Sequence, residues 1–337
     1  MGIQISNILP KKEIEINDLS GKSIAVDAFL WLHQFLSIIR QPDGTPLKDS
    51  KGRTTSHLSG LFYRSAKMIE NNIKLVWVFD GVAPDFKGTT TQMRREIKEE
   101  ARKKWKEALD EEDLEGARKA AQMTSTLTGE MIGQSKLLLN YMGIPVIQAP
   151  SEGEAQCSYL CQKNLVYAVS SQDSDSLLFN SPRLIRNLSI TGKRKLPRQN
   201  VYIEIKPELI ELSHILKELK IKREQLIMLG LLVGSDYNPG IKGYGPKKAL
   251  ELVRKEKTLE NVLKKIEWNY EIPAKDIYEF YLNPPVDKDA KIEHPQLQPE
   301  KILSLLVDEH EFSQDRIEKV IKNLTAARQS SLGSWLK

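Results

Sequence analysis

Residues 74–80 read Lys-Leu-Val-Trp-Val-Phe-Asp, a continuous apolar run that ends in an aspartate. Three more runs have an acidic residue at or soon after their end: residues 23–27, 143–148 and 166–175. Continuous rather than alternating apolar strands are typical of a parallel sheet buried on both faces. Helical periodicity over residues 58–69 and 130–142 separates these runs. The sequence therefore predicts an α/β fold, with a mostly parallel sheet flanked by helices.

Length and composition restrict the class of protein. A chain of 337 residues is long enough for one large α/β body or for two domains. Hydrophobic residues make up 40% and charged residues 28%, which is typical of a globular protein rather than a disordered one. The sequence has no run of about 18 apolar residues, so a transmembrane helix is excluded. The formal net charge of +5 permits nucleic-acid binding without requiring it.

Seven carboxylates are predicted to meet at one edge of this sheet. They follow strands or begin the next helix, except the last, which follows an apolar helix at 224–233: Asp27, Asp80, Glu152, Glu154, Asp173, Asp175 and Asp236. An aspartate after a single strand is commonly a helix cap or a turn residue. Four strand ends that all carry acids are harder to explain in this way, because active sites of open α/β sheets lie beyond the carboxyl ends of the strands.

Such a cluster needs either protons or cations. Two carboxylates about 4 Å apart repel by roughly 4 kcal/mol at an effective dielectric constant of 20. Ligands that are all oxygen, without His or Cys, favour hard ions such as Mg²⁺ or Mn²⁺. Two such ions suit the in-line hydrolysis of a phosphodiester. The residues alone therefore predict a two-metal phosphoryl hydrolase.

Two basic segments indicate a polyanionic substrate. Within the charged segment 85–128, basic residues recur every fourth position: Arg94, Lys98, Arg102 and Lys106. A solvated helical pair with internal ion pairs is the alternative interpretation. Residues 240–248 read Gly-Ile-Lys-Gly-Tyr-Gly-Pro-Lys-Lys and follow an apolar helix. Backbone N–H groups at the start of the next helix, with lysines beside them, predict a phosphate cradle rather than a plain hairpin turn.

Together these residues resemble the flap endonucleases, XPG-type structure-specific nucleases, in their compact archaeal form. The segments that carry the resemblance span the chain in the family's order: Ala25-Val26-Asp27-Ala28, Gln34-Phe35-Leu36, Thr54-Thr55-Ser56-His57-Leu58, Val78-Phe79-Asp80-Gly81, Ala149-Pro150-Ser151-Glu152-Gly153-Glu154-Ala155, Gln172-Asp173-Ser174-Asp175-Ser176-Leu177 and Gly234-Ser235-Asp236-Tyr237-Asn238. The resemblance implies cleavage of 5′ flaps at single-strand/double-strand junctions and 5′–3′ exonuclease activity, in DNA replication (Okazaki fragment maturation) and repair.

The resemblance also implies roles for individual residues. One Mg²⁺ (or Mn²⁺) is held by Asp27, Asp80, Glu152 and Glu154, and a second by Asp173, Asp175 and Asp236. Lys87 and Arg94 contact the scissile phosphate from a helical arch. The DNA-binding residues comprise His33, at the position of a base-stacking tyrosine, a set at the duplex end with its one-nucleotide 3′ flap (Arg40, Thr55 and Arg64), and a set in a helix-hairpin-helix that often holds K⁺ (Gly234, Lys242, Gly243, Gly245, Lys247 and Lys248). The C-terminal residues that resemble a sliding-clamp (PCNA) box are Gln329, Leu332, Trp335 and Leu336.

The resemblance also implies a regional organisation. The regions are an N-terminal nuclease region (1–98), the helical arch (85–128), an internal nuclease region (116–258) with its helix-hairpin-helix (224–255), a small C-terminal helical region (259–328) and a clamp-binding tail (329–337). The tail is predicted to be flexible, following a helix that ends near residue 327. The expected location is the cytoplasm, at the nucleoid, in an archaeon, or the nucleus in a eukaryote.

The chain departs from the family pattern at three places. His33 stands where relatives usually have a stacking tyrosine, residues 239–241 lack a glycine that close relatives have, and Leu336 replaces an aromatic of the clamp box. Two other functions remain open at this point. One is a Holliday-junction or bubble nuclease of the same superfamily, and the other is a non-catalytic junction scaffold that docks on the clamp. The full set of seven carboxylates argues against the scaffold.

Overall fold

The structure is a computed structural model of the whole chain. It describes residues 3, 5, 7–190, 192–195 and 201–333, and for residues 85, 88–94, 193–195, 202–203 and 329–333 it describes the backbone alone. No helix within these ranges is long and apolar enough to cross a membrane.

A seven-stranded sheet forms the centre of the molecule, with a separate two-stranded hairpin beside it. The strands are β1 Lys12–Glu13, β2 Ser23–Asp27, β3 Lys74–Phe79, β4 Val146–Gln148, β5 Ala168–Ser170, β6 Arg183–Arg186, β7 Gly192–Lys195, β8 Tyr202–Ile205 and β9 Glu208–Glu211. The order in the large sheet is β1-β9-β6-β5-β2-β3-β4, and β7 pairs with β8. In the large sheet the five strands from β6 to β4 are parallel, and β9 pairs antiparallel with both β6 and β1. The predicted mostly parallel sheet is thus confirmed.

The strand order determines where a crevice opens. From β2 the chain adds β3 and then β4 on one side, and it later places β5 and β6 on the other side. The order therefore reverses between β2 and β5, and ligands of open α/β sheets bind beyond the carboxyl ends of the strands at such a point. Asp27 is the last residue of β2, and Asp173 follows β5 within three residues.

Helices cover both faces of the sheet and extend beyond its carboxyl edge. They are α1 Ala28–Ile38, α2 Ser56–Glu70, α3 Gly88–Asp110, α4 Leu114–Gln122, α5 Gly129–Tyr141, α6 Gly153–Gln162, α7 Asp175–Leu178, α8 Leu212–Glu218, α9 Arg223–Val233, α10 Pro246–Glu256, α11 Leu259–Leu263, α12 Ala274–Leu282, α13 Pro299–Leu303 and α14 Gln314–Gly333. Three-residue 3₁₀ turns lie at Asp85–Lys87 and Leu188–Ile190, a longer one at Ile16–Leu19, and a π turn at Ser304–Asp308. The predicted arch segment is a helical pair, α3 and α4.

The C-terminal helices are part of the main core. Ile302 and Leu306, around the end of α13, are fully buried in the same cluster as Trp31 of α1 and Leu61 of α2. At the far end of α14, Arg328 donates from Nη2 to the carbonyl oxygens of Met142 and Gly143, at 2.7 and 2.8 Å. These bonds satisfy carbonyls at the C-terminus of α5. Contacts between the last helix and the main core therefore extend as far as Arg328.

One sequence-based expectation about this region is wrong. The helix expected to end near residue 327 continues to Gly333, so Gln329 and Leu332 belong to the backbone of α14 rather than to a flexible tail. Nothing between residues 328 and 333 breaks a helix, because the first glycine there is Gly333 itself and there is no proline. Trp335 and Leu336 lie outside the described residues.

Gly81 holds the ends of β3 and β4 together, and we expect its replacement by alanine to destabilise the protein. Its N–H donates to Ser151 O at 2.7 Å, and an added Cβ would lie 2.2 Å from Ala149 O. Relief of this clash must move backbone, so Gly81→Ala should cost about 2 kcal/mol or more in the free energy of unfolding. Gly133→Ala is the control, since nothing lies within 4 Å of the added Cβ. Equal denaturation midpoints for the two variants would contradict this prediction.

Candidate active site

Two aspartates at the ends of the central strands face the crevice. Asp27 caps α1, where its Oδ1 accepts the N–H of Leu30 at 3.2 Å, and only 6% of the residue is exposed. Asp80 follows β3, and its Oδ1 accepts the N–H of Gly153 at 2.7 Å. Each carboxylate thus lies near the start of a helix, where backbone N–H groups favour negative charge. The hydrogen bonds that these aspartates accept at the helix starts therefore also position them in the predicted site.

The helix α6 contributes two glutamates from its first turn. Glu152 is its N-cap residue and Glu154 is its second helical residue. Glu154 Oε1 accepts the hydroxyl of Ser171 at 2.7 Å, which connects α6 to the loop after β5. The same loop carries Asp173, whose N–H donates to Ser171 Oγ at 3.2 Å. Ser171 therefore joins the acids of two strand ends, a role that the sequence did not indicate.

Asp175 and Asp236 lie on the other side of the crevice. Asp175 begins α7 and is 3% exposed; its Oδ1 accepts the N–H of Ile3 at 2.6 Å, and its Oδ2 accepts the hydroxyl of Tyr281 at 3.4 Å. Asp236 lies in the turn after α9, between Ser235 and Asn238, which close that turn by a backbone bond of 2.9 Å. Neither Ile3 nor Tyr281 could be found by sequence reasoning, because they lie more than 100 residues from Asp175 and carry no motif.

Electrostatics link all seven carboxylates. Burial, followed by repulsion from Asp80, raises the pKa of Asp27 well above its usual value. Burial and the charge of Glu152 raise the pKa of Asp80 to about 6. Burial, followed by Asp27, raises the pKa of Glu154, and burial with Asp236 and Asp173 raises that of Asp175 to about 7. The largest repulsion on Asp80 comes from Glu152 and the largest on Asp175 from Asp236, while Asp27 and Glu154 are also repelled by carboxylates of the other predicted set.

The seven carboxylates have the chemistry that hard cations prefer, although their oxygens are not arranged as a ready coordination site. Among the described residues no group of three or more His, Cys, Asp or Glu side chains is arranged to hold a metal ion as it stands. One oxygen each of Asp27, Asp80 and Asp175 accepts a backbone N–H, from Leu30, Gly153 and Ile3. The donors are nonetheless all carboxylate oxygens whose repulsion a divalent cation would relieve. In chemistry, though not in their present arrangement, the residues therefore fit a hard divalent cation.

Lys87 is the cation that the structure places in the crevice. Its Nζ donates to both oxygens of Glu152, at 2.8 and 2.9 Å. Burial lowers the pKa of Lys87, but the charge of Glu152 and its hydrogen bond outweigh burial and raise the pKa above its usual value. The side chain is therefore a charged ammonium at the mouth of the site. The predicted partner Arg94 lies in α3, but its side chain is outside the described residues.

The segment predicted to form a phosphate cradle lies in a helix-hairpin-helix between α9 and α10. Gly234 and Gly243 adopt the left-handed backbone conformation, with φ of 107° and 84°. Gly245 is the N-cap of α10, with a proline at the first helical position. Of the residues predicted to bind DNA here, Gly234 is half-buried, and five are exposed: Lys242, Gly243, Gly245, Lys247 and Lys248. The ammonium of Lys248 lies 4.5 Å from the ring centre of Tyr244.

The predicted DNA-binding residues between positions 33 and 64 are not equally accessible. Arg64 lines an open cavity of about 550 Å³ between α1 and α2, together with Ile38 and Tyr63. His33 is half-buried on α1. Arg40 donates to the carbonyl oxygens of Leu36 and Gly44, both at 2.8 Å, while burial lowers its pKa. Thr55 is buried, with 6% of the residue exposed.

Comparisons with known proteins agree with this arrangement. Residues 1–101 match the XPG N-terminal domain and residues 143–236 the XPG I-region. Flap endonuclease 1 of Pyrococcus furiosus is 54% identical over 342 residues, which cover 100% of both chains. The solved flap endonuclease-1 from Methanococcus jannaschii is 40% identical, with a TM-score of 0.77, over 98% of this chain and 100% of that one. The catalytic core of Rad2 in complex with DNA is 26% identical, with a TM-score of 0.70, over 93% and 96%.

Proposed function

The chain belongs to the flap endonuclease family of XPG-type nucleases, hydrolases of DNA phosphodiester bonds, and we propose that it removes 5′ flaps at single-strand/double-strand junctions with two divalent ions. The proposal includes 5′–3′ exonuclease activity, a 5′-phosphate product, and roles in replication and repair. The observation that carries it is the meeting of seven carboxylates at the carboxyl edge of the sheet, with the Lys87 ammonium beside them. A site of this charge needs cations before it accepts a polyanion.

In this proposal the carboxylates divide into two ligand sets. Asp27, Asp80, Glu152 and Glu154 hold one ion, and Asp173, Asp175 and Asp236 hold the other. The strongest repulsions support this division, because Asp80 is affected first by Glu152 and Asp175 first by Asp236. When bound, a pair of Mg²⁺ or Mn²⁺ ions supplies charge stabilisation at the attacking and leaving oxygens of an in-line displacement.

Lys87 and Arg94 supply the remaining positive charge. The seven carboxylates exceed the charge of two divalent ions, so the loaded site is still formally negative. Both oxygens of Glu152 accept hydrogen bonds from Lys87 Nζ. If Glu152 binds a metal ion through these oxygens, the ion competes with Lys87 for them. We propose that the ammonium then turns to a non-bridging oxygen of the scissile phosphate, with Arg94 on the same side from α3. A preorganised cation at that oxygen acts on charge that increases in the transition state.

Binding to DNA uses surfaces away from the carboxylates. The exposed lysines and backbone N–H groups of the hairpin contact downstream duplex phosphates without reading bases, and K⁺ is proposed at the same turn. The cavity beside Arg64 takes the upstream duplex end with its one-nucleotide 3′ flap. Arg40 is hydrogen-bonded to two carbonyl oxygens and Thr55 is buried. We therefore propose that these two residues stabilise the structure beside this cavity. In an archaeal cell these surfaces act at the nucleoid.

The decisive experiment compares substrates and metal states. Labelled flap, nicked, bubble and four-way DNA should be cut in that order of preference in Mg²⁺, with no cleavage in EDTA. Binding of Mn²⁺ to the free protein, followed by electron paramagnetic resonance, gives a second readout that does not depend on activity. Preference for the four-way or bubble substrate would replace this proposal with the rival nuclease functions. Flap binding without any cleavage in metal would favour the junction scaffold.

We also propose that the C-terminal residues bind a sliding clamp, and we expect Trp335→Ala to lose most of that affinity. Gln329, Leu332, Trp335 and Leu336 follow the pattern of a short apolar anchor, and an aromatic residue usually dominates so small a contact. Calorimetry against the clamp of the same organism should show roughly a tenfold or greater loss, with cleavage of free flaps unchanged. Lys322→Ala, at an exposed position of α14, is the control. Undiminished clamp affinity in Trp335→Ala would place the clamp site elsewhere.

A further inference from the structure

An aromatic cluster lies directly beside the candidate active site. Its members are Phe86, Phe179, Tyr237, Phe280 and Tyr281. Three of these rings contact one another, with centroid distances of 5.3 Å (Phe86–Tyr237), 5.2 Å (Phe86–Phe280) and 5.3 Å (Tyr237–Phe280). Their interplanar angles of 78°, 86° and 76° are the edge-to-face geometry that aromatic pairs favour. The cluster therefore joins three separate elements through specific ring contacts.

Each of these elements carries a group of the site next to its ring. Phe86 directly precedes Lys87, and Tyr237 directly follows Asp236. Phe280 directly precedes Tyr281, whose hydroxyl donates to Asp175 at 3.4 Å. The rings thus connect the start of the arch, the turn before the hairpin, and α12. Because the rings pack against one another, the position of each of these site groups depends on how the other two elements are packed.

The start of the arch depends most on the cluster. Lys87 ends a 3₁₀ turn of three residues, and its N–H donates to Pro84 O at 3.0 Å. So short a turn holds its geometry weakly by itself. Tyr237 and Tyr281 are 3% and 0% exposed and form a rigid base for the cluster, whereas Phe86 and Phe280 are half-buried at its edge. The contact between Phe86 and Phe280 thus attaches the 3₁₀ turn that contains Lys87 to α12.

We propose that Phe280 is a positioning residue for Lys87. Its ring holds Phe86, and through Phe86 it fixes the turn that aims the Lys87 ammonium at the site. The inference rests on the role given to Lys87 in the proposed function. Without the Phe280 ring the turn gains freedom, so the ammonium spends less time at its productive position. The expected consequence is a slower chemical step with little change in DNA affinity.

Phe280→Ala should slow single-turnover cleavage roughly tenfold at saturating enzyme, with flap affinity within about twofold of wild type. Phe280→Tyr keeps the ring and should restore a rate near that of wild type. Tyr278→Ala is the matched control, because Tyr278 is another half-buried aromatic residue of α12 but is not a member of the aromatic cluster. If Phe280→Ala does not fold, as judged by its melting curve, Phe280→Leu takes its place with the same expectations, because it keeps apolar volume without a ring face.

The double variant with Lys87→Ala separates positioning from general damage. If Phe280 acts through the ammonium, Phe280→Ala should slow the Lys87→Ala enzyme by less than about twofold. Equal slowing in both backgrounds, or equal slowing by Tyr278→Ala, would overturn the inference and leave the proposed function intact. A Lys87→Ala enzyme as fast as wild type would overturn the role of Lys87 itself, and the inference with it.

Discussion

Replacement of Asp175 by alanine is expected to reduce flap cleavage by roughly a thousandfold or more while sparing flap binding. The carboxylate lies at the crevice, buried and beside Asp173 and Asp236, where we place a divalent ion. In the proposed function, binding depends instead on the hairpin and on the cavity beside Arg64. Loss of one negative charge also removes repulsion, so affinity measured without metal should rise slightly. Cleavage in Mg²⁺ and gel-shift affinity in EDTA measure the two effects separately.

Two controls make this prediction specific. Asp276→Ala removes an exposed aspartate of α12 and should change neither rate nor affinity. Asp175→Asn retains one oxygen acceptor, for the N–H of Ile3, and its amide NH2 can donate to Tyr281 Oη, but it lacks the charge, so it should be as inactive as the alanine variant. Titration with Mn²⁺ should show weaker binding to both Asp175 variants. Substantial cleavage by Asp175→Asn at saturating Mg²⁺ would exclude Asp175 as a required ligand.

The same substitution has a consequence for pH stability in metal-free protein. The pKa values of Asp80 (about 6) and Asp175 (about 7) lie above the ordinary 3.8, so the folded state retains protons that the unfolded state releases. The stability that these groups contribute is complete below pH 3.8 and is lost as pH rises through their folded pKa values. Melting temperatures of Asp175→Asn in EDTA should therefore vary less between pH 4 and 7 than those of wild type.

Lys87→Ala is expected to lower the single-turnover rate by roughly a hundredfold with little loss of flap affinity. A charge that acts on the transition state changes the rate more than the binding of the substrate. Lys87→Arg should recover only part of the rate, because a planar fork replaces a compact point charge. We expect Arg94→Ala to behave similarly, with partial rescue by Arg94→Lys. Single-turnover kinetics and equilibrium binding of the same flap provide the measurement.

The control for this prediction comes from the same helix as Arg94. Arg102→Ala removes an exposed charge of the basic stripe on α3 and should weaken binding slightly without a specific effect on the rate. If Lys87→Ala and Arg102→Ala both changed affinity alone, Lys87 would be one more contributor to long-range attraction. A rate loss confined to Lys87→Ala supports contact with the reacting phosphate.

The parallel sheet and the position of its acids could be predicted because the relevant patterns are local. An apolar run such as residues 74–79 must be buried on both faces, and a residue after it must lie at a strand end. Asp27, Asp80 and Asp173 therefore reach the same edge whichever order the strands take, and Glu152 follows them at the start of a helix. The helix-hairpin-helix was predictable for the same reason, since its glycines stand where the backbone must turn.

The sequence by itself determined the fold class, the oxygen-only donor set and the basic segments, because each depends on residue type and short-range spacing. Only the tertiary structure decided that Lys87 lies on Glu152, that Tyr281 and Ile3 hold Asp175, and that Thr55 is buried. It also extended the last helix to Gly333, where no local signal marks an end. These features arise from contacts between segments far apart in the chain, and their geometry is set by the packing of the whole core rather than by any local pattern.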